Sequence, residues 1–112
     1  MASTLPPAEA LPLATLITPT ARGVASRVLA KTPTANLTLF AFDAGEGLSE
    51  HTSPYDAFVL VQEGTIRLTI GGTPVHAAPG TITRLPANIP HAVDADVPSR
   101  FLLVMLRDEA LA

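Results

Sequence analysis

The chain contains no cysteine. Disulfides, thiol nucleophiles and thiolate metal sites are therefore excluded, and the redox compartment is left open. Charge is also scarce: 15% of residues are charged, seven Lys and Arg against ten Asp and Glu. No basic cluster exists among them, which argues against nucleic-acid binding through phosphate neutralisation. No apolar run approaches the roughly 20 residues that a membrane-crossing helix needs, so no membrane association is expected. The first ten residues lack the positive start and unbroken apolar core of a secretory signal, and cytoplasmic residence is the resulting expectation. Missing, finally, is any window of about a dozen residues with a helical apolar stripe free of proline and glycine.

What is present points to one β-rich domain. The 112 residues are 47% hydrophobic, enough for a single modest core. Eleven prolines and seven glycines punctuate the chain at short intervals. Proline cannot donate to a ladder and breaks helix interiors, so short strands between turns are predicted. Residues 24–30 alternate, with Val24, Val28 and Ala30 on one face and Arg27 on the other. Residues 36–43 are apolar on both faces, as for a strand covered on two sides, and a hairpin joins the pair. Further strands are predicted over 57–62, 65–70, 73–78, 81–85, 91–95 and 100–106. In the cleanest of these, Ile66, Leu68 and Ile70 point inward, and Gly71-Gly72 closes a tight hairpin because both positions tolerate positive φ. Phe40, Phe42, Phe58 and Phe101 read as core, and His76 as surface. Residues 1–22 form a proline-interrupted arm, with a helical turn or an edge strand within 11–17, that is expected to pack on a partner subunit. Residues 23–107 make the barrel domain, and 108–112 a short tail. Seven or eight antiparallel strands imply a sandwich or a barrel.

Two stretches carry the chemistry. The first runs Gly45, five residues, His51-Thr52-Ser53, three residues, Ala57, six residues, Gly64. The second runs Gly80, five residues, Pro86-Ala87-Asn88, two residues, His91. Together they resemble the two signature segments of the cupin family. The resemblance covers about residues 24–106 and implies an all-β fold, an antiparallel double-sheet jelly-roll barrel (double-stranded β-helix). It also implies that His51 and His91 converge at the barrel mouth, where family members often hold a metal. Ser53 stands where the family has a second histidine, and Ala57 where it has a glutamate. Asp56 is one position off, so strand alternation points it away from the face of Ala57. Asn88, in place of a family glycine, is expected in a left-handed conformation, which Asn tolerates.

Two readings of the histidines follow. In one, His51 and His91 bind a divalent ion (Zn, Ni, Mn or Fe) weakly, at low occupancy, with water in the other positions. In the other the chain is a metal-free small-molecule binding or sensing module, or a non-catalytic subunit, and the histidines hydrogen-bond to backbone, water or each other in the same cleft. Ser53, Tyr55, Ala57, Gln62 and Met105 are the candidate ligand-binding residues in either case. An apolar ligand would sit among Val59, Val61, Ile66, Leu68 and Met105. The resemblance further implies a homodimer, since cupins commonly pair by exchanging or adding strands. A small-molecule ligand or substrate is expected; whether the chain is an enzyme is not specified by these residues.

Overall fold

A computed structural model describes residues 2–107; the predicted tail, 108–112, lies outside the described residues. Among these, all regular structure is strand except a single 3-10 turn at Leu13–Thr15. Ten strands run in chain order as β1 (Ala2–Ser3), β2 (Val24–Lys31), β3 (Ala35–Phe42), β4 (Gly47–His51), β5 (Asp56–Glu63), β6 (Ile66–Ile70), β7 (Thr73–Ala77), β8 (Ile82–Leu85), β9 (His91–Ala95) and β10 (Ser99–Leu106). They form a six-stranded sheet, β1-β2-β3-β10-β5-β8, and a four-stranded sheet, β4-β9-β6-β7. Every pairing is antiparallel. The two sheets close on each other as the double-sheet barrel that the signature segments imply.

Alternation decides which side chains enter the barrel. Along β5, Ala57, Val59 and Val61 are buried, and Ile66 and Leu68 face them from β6. Phe40, Phe42 and Phe101 pack as one aromatic group, with ring centroids 5.1–6.1 Å apart. Phe58 does not join them, contrary to the sequence expectation. It occupies an even position of β5, in register with Arg84 and Val104, and so faces outward. The β6–β7 hairpin turns at Gly71 and Gly72 with φ of 56° and 83°, as the dipeptide predicts. Pro74 is tolerated because β7 is an edge strand.

The arm is organised by β3, which is apolar on both faces as predicted. Phe40 and Phe42 point into the barrel; Leu39 and Ala41 point out, into a second cluster with Leu29 and Ile17. A bulge between Val28 and Ala30 turns Leu29 toward that outer layer. Arg27 pins the arm across it, donating to the carbonyls of Leu16 (3.0 Å) and Thr4 (3.3 Å). In this single chain the arm packs against its own large sheet. Residues 11–17 resolve the choice left by the sequence in favour of the helical turn.

Candidate functional site

The first signature segment contains a strand that its sequence conceals. β4 is exposed at four of its five positions, so it carries no hydrophobic alternation. It pairs with β9 through Gly47 and Asp94, Leu48 and Val93, and His51 and His91, with an irregularity between Leu48 and His51. Residues forty apart in sequence thus become cross-strand partners, and antiparallel partners sit about 4.5–5.5 Å apart. The two imidazoles meet edge to face, with centroids 4.4 Å apart and their Nε2 atoms separated by 3.1 Å.

Each remaining ring nitrogen faces a backbone carbonyl. His51 Nδ1 lies 2.7 Å from the Ser49 carbonyl oxygen, and His91 Nδ1 lies 3.2 Å from that of Ile89. A carbonyl only accepts, so the short contact sets the proton of His51 on Nδ1 and leaves its Nε2 an acceptor. The longer His91 contact leaves that ring free to carry its proton on Nε2, and a neutral His91 in that tautomer donates to His51 Nε2 across 3.1 Å. The same separation suits two imidazole ligands in adjacent positions of one ion. Burial disfavours a charge on His91. Its burial, and then the neighbouring His51, hold its pKa below the ordinary 6.5, with the Ile89 carbonyl pulling weakly the other way.

A turn holds His91 in place. Ala87 donates its backbone N–H to Asp56 Oδ1 (2.8 Å) and Asn88 donates to the Ser53 carbonyl (2.7 Å). Asn88 adopts φ of 65°, the left-handed conformation expected of it. The Asp56 carboxylate thus clasps the second signature segment to the first, a role the sequence reading missed. It faces the turn and Arg84, 3.8 Å away, rather than the histidines. At the far end of the first segment, Gly64 has φ of 73°, and a Cβ there would collide with Ser99 Oγ and the Pro98 carbonyl. The signature requires glycine at 64 for that reason.

Below the histidines lies a small cavity of about 80 Å³, open at its mouth. The large sheet contributes Phe40, Ala57, Val59, Phe101, Leu103 and Met105; Leu85 closes one side. The small sheet contributes Leu48, His51, His91 and Val93, and Ser53 sits at the mouth. Of the sequence-predicted site residues, His51, His91, Ser53, Ala57 and Met105 therefore meet in one cavity. Tyr55 and Gln62 do not line it. Tyr55 sits on the bend before β5 and donates its backbone N–H to Ser53 Oγ (3.2 Å). Gln62 is five positions from Ala57, so the strand period turns it to the outer face, in a hollow with Leu60 and Ile82. Val61, Ile66 and Leu68 belong to the packed core beneath rather than to the cavity wall. Phe40, Leu48, Leu85, Val93, Phe101 and Leu103 complete the lining, and only the strand pairing reveals them.

The donor set fits a cation incompletely. Bonds of about 2.0–2.1 Å from two imidazoles to one ion in adjacent positions span roughly 3 Å between nitrogens, and backbone-anchored Nδ1–H groups are the usual support of metal-binding histidines. The separation and anchoring observed satisfy both conditions. No group of three or more His, Asp or Glu able to hold a metal occurs among the described residues, so the rest of a coordination sphere falls to water, Ser53 or a ligand. Among the described residues, no helix is long and apolar enough to cross a membrane.

No curated protein matches the chain. Among solved structures, it is similar to a conserved protein of unknown function from Streptococcus pyogenes, with 29% identity over 96% of both chains and a TM-score of 0.90. A cupin superfamily protein from Desulfitobacterium hafniense matches at 29% identity over 95% of this chain and 97% of its own, with a TM-score of 0.88. A cupin 2 conserved barrel domain protein from Leptotrichia buccalis is 33% identical over 84% of this chain and 46% of its own, with a TM-score of 0.81. A profile of the cupin domain matches residues 38–105, which span both signature segments and the strands that bring their histidines together. The chain belongs to the cupin domain family.

Proposed function

We propose that this protein binds a small molecule in the barrel cavity, at a divalent cation held weakly by His51 and His91. The observation that carries the reading is the pair of Nε2 atoms 3.1 Å apart, each ring backed by a backbone carbonyl on its far side. Bound there, a divalent ion supplies Lewis acidity toward an oxygen atom of the ligand. The chain's own residues hold the two ring orientations, exclude water from the apolar floor and leave Ser53 at the mouth as a polar contact. A third protein ligand is lacking, so occupancy is low and depends on what else enters the cavity.

The test is elemental analysis of untagged protein, then titration with Mn, Fe, Ni and Zn in wild type and His51→Ala. Binding of one ion per chain in wild type, lost in His51→Ala, supports the reading. Equal, substoichiometric metal in both sinks it. Ala57→Glu adds a second arm. Ala57 is 3% exposed and lines the cavity, so a carboxylate there is expected to tighten the ion at least tenfold.

The apolar lining favours one further reading, in which the cavity works without metal. A single proton shared by the histidine pair then orients the ligand by hydrogen bonding, and a ligand that binds ion-free protein as tightly as loaded protein would select this alternative.

A further inference from the structure

The outer face of the large sheet is covered on one side only. The arm lies over β2 and β3, where Ile17 packs with Leu29, Leu39 and Ala41, and its cover ends at Leu102 of β10. Beyond that line, among the described residues, no element lies over β5 and β8. Alternation turns Phe58, Leu60, Ile82, Val104 and Leu106 outward there. Ile82 is 62% exposed and Leu106 47%. Large apolar side chains left open side by side mark a contact surface, because docking removes them from water. The sheet edges, by contrast, are poor places to pair. β1 has two residues, β8 has four with Pro86 directly after it, β7 carries Pro74, and the β4 ladder is irregular. Short, proline-interrupted edges resist strand addition. Nor is the arm loose. Thr4 donates its N–H to the Leu29 carbonyl (2.9 Å) and its hydroxyl to that of Val28 (3.1 Å), beside the Arg27 bonds described above.

We propose that the bare half of this face is the docking surface for a second copy of the chain, and that it receives the partner's arm. The arm stands above the sheet on one half and leaves the other half low, a step that runs along the strands at β10. A step is complementary to itself. A two-fold axis laid along β10 exchanges β3 with β5 and β2 with β8, and so seats each arm on the partner's bare half. Charge agrees with that seat. Residues 4–17 carry a single charge, Glu9, which is exposed. Arg84, 60% exposed on the outer face of β8, is the cation that the arriving arm meets. Area decides that the arm takes part. The bare half, three strands about 4.8 Å apart and about 24 Å long, spans roughly 350 Å². That is less than half of the roughly 800 Å² that each partner of a stable interface buries, so sheet-on-sheet contact alone falls short. In this arrangement the arm keeps its own sheet and covers the partner's as well; no strand is exchanged or added.

Analytical ultracentrifugation of the full chain across the micromolar range is the first test, and wild type is expected at twice the mass of one chain. Ile82→Glu and Leu106→Glu change side chains that are already exposed, so each is expected to keep the circular dichroism of the barrel. Each is expected to raise the dissociation constant of the dimer about tenfold or more. The second test needs no variant of the docking face. The chain has no cysteine, so Ala10→Cys gives one attachment point for a nitroxide on the exposed side of the arm. That protein is mixed with isotope-labelled wild type and left to exchange subunits. The nitroxide is expected to broaden amide resonances of β5 and β8 in the labelled chain and to spare those of β2. Broadening centred on β2 and β3 would mean that arms are exchanged, and overturns the proposal. A dimer indifferent to both glutamate substitutions overturns it too, as does a monomeric wild type, which leaves the bare half to an occupant other than a second copy.

Discussion

The backbone does more for the two imidazoles than any side chain does. The carbonyls of Ser49 and Ile89, each two residues before its histidine, face the Nδ1 atoms while Nε2 points into the mouth. That places a pH dependence on His91. Its pKa is held below the ordinary 6.5, chiefly by burial and then by His51. Between the lowered folded value and the unfolded value near 6.5, the unfolded chain carries more protons, so stability rises with pH through that window. It is fully present above about 6.5 and falls as pH drops toward the folded value. Urea unfolding at pH 7.5 and 5.5 is expected to show the acid loss in wild type and a smaller one in His91→Phe. At this scale the sequence was readable where spacing is fixed by the two signature segments, as at His51, His91 and Asn88. It was unreadable for the clasp, because Asp56 acts through a backbone N–H that any residue at position 87 supplies.

Among the elements, the 86–90 turn is held from outside by two hydrogen bonds, from Ala87 to Asp56 and from Asn88 to Ser53. Asp56→Ala removes the charged acceptor and is expected to cost about 1–2 kcal/mol in chemical denaturation, with His91 resonances broadened more than those of the β6–β7 hairpin. Asp56→Asn keeps an oxygen acceptor and is expected to restore most of the loss. If His91 is undisturbed in Asp56→Ala, the clasp does not position it. Strands with one buried face, such as β6, were legible from alternation alone. β4 was not, since its exposed residues offer no period, and its existence depends on β9 being there to pair with. Phe58 shows the opposite failure. An aromatic residue in a strongly apolar run reads as core, yet its place in the register faces it outward.

At the scale of the whole molecule, β3 separates two apolar layers, the barrel interior and the cluster beneath the arm. Substitutions in the two layers should differ in size. Leu68 is fully buried between the sheets, and Leu68→Ala is expected to cost about 2–5 kcal/mol in thermal or chemical unfolding. Arg27→Ala releases the arm from Thr4 and Leu16 and is expected to cost about 1 kcal/mol, with new proteolytic cleavage within residues 4–20 while the barrel stays folded. Equal losses from the two variants, with no new cleavage, would mean that arm and barrel melt as one unit. The barrel was legible because its punctuation and signature glycines sit at regular spacing. The path of the arm was not, because a few leucines among prolines specify burial without specifying against what.

The position of β10 has a consequence for how the molecule comes into being. It is the last of the described strands in sequence, yet it lies in the middle of the larger sheet, hydrogen-bonded to β3 on one side and β5 on the other. A nascent chain that has left the ribosome only through β9 has two raw strand edges and no wall carrying Phe101, Leu103 and Met105. Such an intermediate cannot retain cargo and is open to pairing with its neighbours, so acquisition of any ligand has to wait until the final strand slides into its slot.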